Sequence, residues 1–128
     1  MKAATIPDDV RRFILTSIPS VPYLEAILLL QREPAVLWDQ SSLARRLYLA
    51  EAPAAELLQA LQEAGIATKG ASGLASWQYQ PPAQLAEMLE RVARHYAQDL
   101  FGVTDLIHSR LNKRAFQFAD AFRWRKDS

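Results

Sequence analysis

Between Trp38 and Gln80 the spacing of apolar positions changes character twice. Leu43, Ala44 and Leu47 form one short helical stripe, and Leu57, Leu58 and Leu61 form a second. A turn at Leu49-Ala50 separates them. Ser41 or Ser42 is placed to cap the first helix, with Arg45 and Arg46 directed away from its apolar side. The second helix spans about residues 51–64. Pro53 fits its first turn, where no intrahelical donor is lost, and Gly65 is a C-terminal signal. Residues 66–69 then read as a strand and residues 70–73 as a turn. Ala75, Trp77 and Tyr79 alternate with Ser76, Gln78 and Gln80, the period of a half-buried strand. Helix, turn, helix and hairpin in this order predict a mostly α (α+β) winged helix-turn-helix with a two-stranded wing, which Pro81-Pro82 closes.

The flanks read as helix. Asp8 and Asp9 are placed to cap a short helix carrying Val10, Phe13 and Ile14, and Pro19-Ser20-Val21-Pro22 breaks it. Pro22 suits the first turn of a second helix reaching about Arg32. Leu24, Ile27, Leu28 and Leu30 make that helix largely buried, and Pro34 marks its exit. Downstream, Leu85, Leu89, Val92, Tyr96, Leu100, Val103, Ile107 and Leu111 step by three or four residues. They form one stripe on a long C-terminal helix of nearly 30 residues, about 45 Å. Gly102 lies inside it, costs about 1 kcal/mol relative to Ala, and is the place for a kink or break. A final short helix puts Phe118 and Phe122 on one face.

This pattern divides the chain into a winged-helix domain over residues 1–82 and a helical region over 83–128. So long a helix overreaches a compact domain of about 80 residues, so its outer part needs cover. A second copy can supply it, giving a homodimer through Leu89, Val92, Tyr96, Leu100, Val103, Ile107, Leu111, Phe118 and Phe122. Alternatively the helix breaks near Gly102 and folds back within one chain.

Composition narrows the chemistry. A chain of 128 residues, half of them hydrophobic, suits one cored domain rather than a disordered segment. The net charge of +1 conceals an uneven spread. From Arg110 onward six cationic residues face two acidic ones, and the remainder is mildly acidic. With no cysteine there is no disulfide, thiolate nucleophile or cysteine-based zinc site. The N-terminus lacks the apolar core of a signal peptide, and the greasiest stretch, residues 23–30, is far short of the roughly 20 residues of a membrane span. The expectation is a soluble, cytoplasmic protein without a membrane partner.

Catalytic signatures are missing. No nucleophile-base-acid set is visible, and residues 70–73 lack the length, Lys-Ser/Thr and following helix of a phosphate-binding loop. His95 with Asp99, and Asp105 with His108, have helical spacing, but two separated pairs fall short of the roughly four ligands of a structural metal site. No enzyme activity, metal or cofactor is expected.

The runs Trp38-Asp39-Gln40-Ser41-Ser42-Leu43-Ala44-Arg45-Arg46-Leu47-Tyr48-Leu49 and Leu57-Leu58-Gln59-Ala60-Leu61-Gln62-Glu63-Ala64-Gly65-Ile66 resemble winged-helix transcription regulators of the MarR-like and PadR-like kind. The C-terminal residues 118–126 resemble the ending of small bacterial winged-helix proteins. The resemblance covers residues 22–82 and implies a dimeric DNA-binding regulator. Ser41 and Ser42 would meet phosphate at a helix N-terminus, and Arg45, Arg46 and Lys69 would approach the backbone. Glu51, Ala52, Ala55, Glu56 and Gln59 would face the major groove of double-stranded DNA, with Gln59 suited to adenine and Glu56 to cytosine.

This chain departs from that pattern in one respect. Its second helix carries Glu51, Glu56 and Glu63 and neither Lys nor Arg, so it repels the phosphates whose neutralisation supplies nonspecific affinity. Two functions therefore stand side by side: a DNA-binding regulator, and a winged helix turned to protein-protein contacts. Each cation also has a plainer role on a solvated face. The aromatic and basic tail can pack on a helix or contact single-stranded nucleic acid. A small-ligand sensor beside Trp77 and Tyr96 is a third possibility.

Overall fold

A computed structural model describes residues 6–70 and 75–109. Among these the order is α1 (Asp8–Ser17), α2 (Val21–Arg32), α3 (Gln40–Leu47), α4 (Glu51–Glu63), β1 (Ala67–Lys69), β2 (Trp77–Tyr79) and α5 (Ala83–Gln98). A further helix, α6, covers residues 100–109. The protein is thus mostly helical with one small antiparallel sheet. No single helix among the described residues is long and apolar enough to cross a membrane.

The chain packs as two compact units, Pro22–Ala93 and a second that joins Met1–Val21 to Arg94–Ser128. In the first, α2 supplies much of the core because it is apolar nearly all round. Tyr23, Leu24, Ala26, Ile27, Leu29 and Leu30 are buried. Helix α3 packs on α4, and α4 on β1. Leu43 and Ala44 face inward from α3, and Ala54, Leu58 and Leu61 from α4; Leu57 is half-buried.

Strands β1 and β2 pair Ala67 with Tyr79, Thr68 with Gln78, and Lys69 with Trp77. Gly70 N–H donates to the Ser76 carbonyl and Gln80 N–H to the Ile66 carbonyl, extending the ladder at both ends. The expected alternation fails just before β2, where Ala75 is exposed and Ser76 buried. Trp38 forms an antiparallel bridge to Trp77, each N–H donating to the other's carbonyl at 2.7 Å. The chain between α2 and α3 is therefore stitched to the far edge of β2. The Trp77 indole N–H also donates to Gln62 Oε1 at 2.8 Å, tying β2 to α4.

Both helices of the central pair end at a left-handed residue whose successor's N–H donates to the carbonyl five residues back. At the end of α4, Gly65 has φ +78°, Gly65 N–H donates to Gln62 O and Ile66 N–H to Leu61 O. At the end of α3, Leu49 N–H donates to Ala44 O, and the left-handed residue is Tyr48, φ 56°.

In the second unit Val10, Ile14, Ile18, Val103 and Ile107 are fully buried. Pro7 occupies the cap position of α1 without a side-chain bond. Asp8 and Asp9, expected as caps, lie instead in the first turn, where negative charge still meets the helix dipole favourably. The long terminal helix is interrupted. Helix α5 ends at Gln98, and Asp99 caps α6 by accepting from Gly102 N–H at 3.0 Å, while Val103 N–H donates to the Asp99 carbonyl. Gly102 has a specific reason to lack a Cβ: the atom would collide with the Asp99 carboxylate. The apolar stripe could not announce this break because Asp99 lies outside it.

Candidate recognition surface

Helices α3 and α4 and strand β1 carry every residue proposed from sequence to meet DNA. The N-terminus of α3 is capped by Asp39 rather than by Ser41 or Ser42. Asp39 accepts from Ser42 N–H at 2.7 Å, and the Ser42 hydroxyl accepts in return from Asp39 N–H at 3.0 Å. The Ser42 N–H holds the Asp39 carboxyl below the usual aspartate range, with smaller help from the Ser42 hydroxyl, Ser41 N–H and the charge of Arg45. A carboxylate thus occupies the helix end at which Ser41 and Ser42 would have met phosphate. Ser41 and Ser42 themselves are half-buried.

Two of the cations have partners within the fold. Arg46 pairs with Glu33 at 2.9 Å and lies 5.6 Å from the centroid of the Trp38 ring. Lys69 lies 5.6 Å from that of Trp77. Both are exposed, so each contact is worth only about 0.5–1 kcal/mol. They nonetheless aim these cations at the two bridged tryptophans. Arg45 is exposed on α3. No local pattern announced this arrangement, since it depends on the Trp38–Trp77 bridge that draws the two cation-bearing segments together. The bridge itself has no local signature.

The outward side of α4 is open. Glu51, Ala52, Glu56, Gln59 and Glu63 are exposed and Ala55 half-buried. No cation occurs between Tyr48 and Lys69. The Pro22–Ala93 unit as a whole carries eight carboxylates against five Lys or Arg, a net charge of −3. At the entrance to α4, Tyr48 is 95% exposed.

The residues expected to join two copies divide into three groups. Leu89, Val92, Val103 and Ile107 are buried within one chain, so covering them requires no second copy. Tyr96 is half-buried, and Leu100 is 48% exposed beside Phe101 at 81%. Leu111, Phe118 and Phe122 lie outside the described residues, as does the basic C-terminal stretch. No group of three or more His, Asp or Glu side chains suited to a metal ion occurs among the described residues.

Comparison with protein-family models, with curated proteins and with solved structures gave no match.

Proposed function

We propose that residues 22–93 form a winged helix used as a protein-interaction module, with the outward side of α4 as its docking surface. The order α2, Trp38 bridge, α3, α4, β1, β2 supports the fold reading. It places a one-residue strand before the helix pair and a hairpin after it, with the bridge and β1 on opposite edges of β2. The observation that carries the function is electrostatic. The helix that would enter a DNA groove exposes three carboxylates and no cation, on a unit of net charge −3. A duplex surface of dense negative charge is the wrong counterpart for it.

Fluorescence anisotropy of the full chain with mixed-sequence duplex DNA, from low to physiological salt, tests this. The expected result is no saturable binding. Binding that falls steeply as salt rises, and that Glu56→Lys leaves in place, would defeat it.

A second reading is the dimeric DNA-binding regulator. Exposed Arg45 on α3 favours it, as does the exposed Leu100-Phe101 pair, an apolar contact available to a second copy. In that case each protomer presents residues 51–62 to a major groove, and paired half-sites follow from the two-fold axis.

A further inference from the structure

The two helix exits in the Pro22–Ala93 unit invite comparison. Each places one residue in the left-handed region, where glycine is favoured because any Cβ crowds the following carbonyl. Helix α4 uses Gly65; helix α3 uses Tyr48. The tyrosine's backbone N–H donates to the Ala44 carbonyl, as any residue there could. Its side chain gains nothing inside the fold to offset the strain, being 95% exposed and without an ion pair, hydrogen bond or ring contact among the described residues. A bulky side chain held in a disfavoured conformation and directed into solvent is more useful outside the chain than within it.

Building on the protein-docking reading above, we propose that Tyr48 anchors that surface and that the occupant is a cationic segment of a partner protein. An Arg or Lys of that segment sits over the Tyr48 ring and pairs with Glu51, three residues further on. Charge complementarity selects this occupant. After Tyr48 the exposed charges on α4 are Glu51, Glu56 and Glu63, with no cation until Lys69. An acidic partner would meet three like charges, and an apolar one would leave those carboxylates unpaired beside it. A guanidinium satisfies ring and carboxylate together, because its planar face stacks while its edge donates.

The test uses the full chain, labelled for amide NMR, and two synthetic helical probes. One is an Ala/Gln peptide bearing Arg at every fourth position, the other the same peptide with Glu in place of Arg. The Arg probe should give saturable shifts concentrated in residues 48–59, and the Glu probe none. Tyr48→Gly should weaken the Arg probe at least fivefold while raising Tm, and Tyr48→Phe, which keeps the ring, should bind as the parent does. Undiminished binding by Tyr48→Gly would overturn the proposal, as would shifts of equal size across the whole chain. A lower Tm for Tyr48→Gly would also overturn it, by showing that the ring supports the fold. The outcomes separate from those of the broader reading. Tyr48 can prove irrelevant while duplex DNA still fails to bind, whereas salt-sensitive duplex binding removes the docking surface itself.

Discussion

At Asp39 one side chain does two things: it satisfies the backbone at the start of α3 and it places negative charge there. Replacing it by Ala removes the reciprocal bonds with Ser42 and should cost about 1 kcal/mol in denaturant unfolding. The charge adds a pH dependence whose sign follows from the lowered carboxyl pKa. The unfolded chain takes up its proton first as pH falls. The contribution is therefore complete above the ordinary aspartate range and is lost as pH drops below it, through the folded-state value. Because Asp39 is exposed, solvent screens the effect and only a fraction of a kcal/mol is involved. Asp39→Asn should keep most of the stability at neutral pH and flatten the acid limb of the Tm profile. An unchanged acid limb would show that another carboxylate dominates there.

At the scale of elements, the break between α5 and α6 is built from two residues acting as one device. Asp99 supplies the cap, and Gly102 leaves the space its carboxylate fills. Their substitutions should not add. In an Asp99→Ala background the cap is already gone, and Gly102→Ala should then stabilise by up to about 1 kcal/mol through helix propensity. In the parent the same change displaces the carboxylate, and the lost cap offsets that gain. A double-mutant cycle by urea unfolding measures the difference, and equal effects in the two backgrounds would show that the pair is uncoupled.

Elements also show what was legible in the chain. The ends of α2 and α4 follow from Pro22, Pro34 and Gly65, because backbone-restricting and backbone-permissive residues act locally. Asp39 and Ser42 stand three apart, the spacing of a reciprocal cap, so that cap was readable too, although the neighbouring serines were the more obvious candidates. The Trp38–Trp77 bridge joins residues 39 positions apart. No periodicity within either segment encodes such a pairing.

For the whole molecule, the issue is what remains exposed once the chain has folded. Val103 and Ile107 are spent in the core, leaving Leu100 and Phe101 as the apolar side chains of α6 open to a second copy. If the dimeric reading holds, sedimentation equilibrium should show a concentration-dependent dimer. Phe101→Asp should weaken that dimer at least tenfold, with Tm nearly unchanged because the ring is 81% exposed. A single-chain mass at every concentration, or a dimer indifferent to the substitution, would remove this interface. Charge belongs to this scale as well. The overall +1 says little about partners, whereas the −3 of the Pro22–Ala93 unit bears directly on what can approach α4.

The amino-acid pattern by itself determined the identity and order of α1 to α4, the two-stranded hairpin and the acidic character of α4. Each depends on near neighbours or on composition, which a linear reading contains. Tertiary structure decided what each surface residue is available to do. It turned Arg46 toward Glu33 and Trp38 and set Lys69 over Trp77. It buried Leu89, Val92, Val103 and Ile107 of the stripe expected to meet a second copy, and it left Tyr48 in solvent. Such assignments depend on distances between segments far apart in sequence, and those distances exist only after the chain has folded.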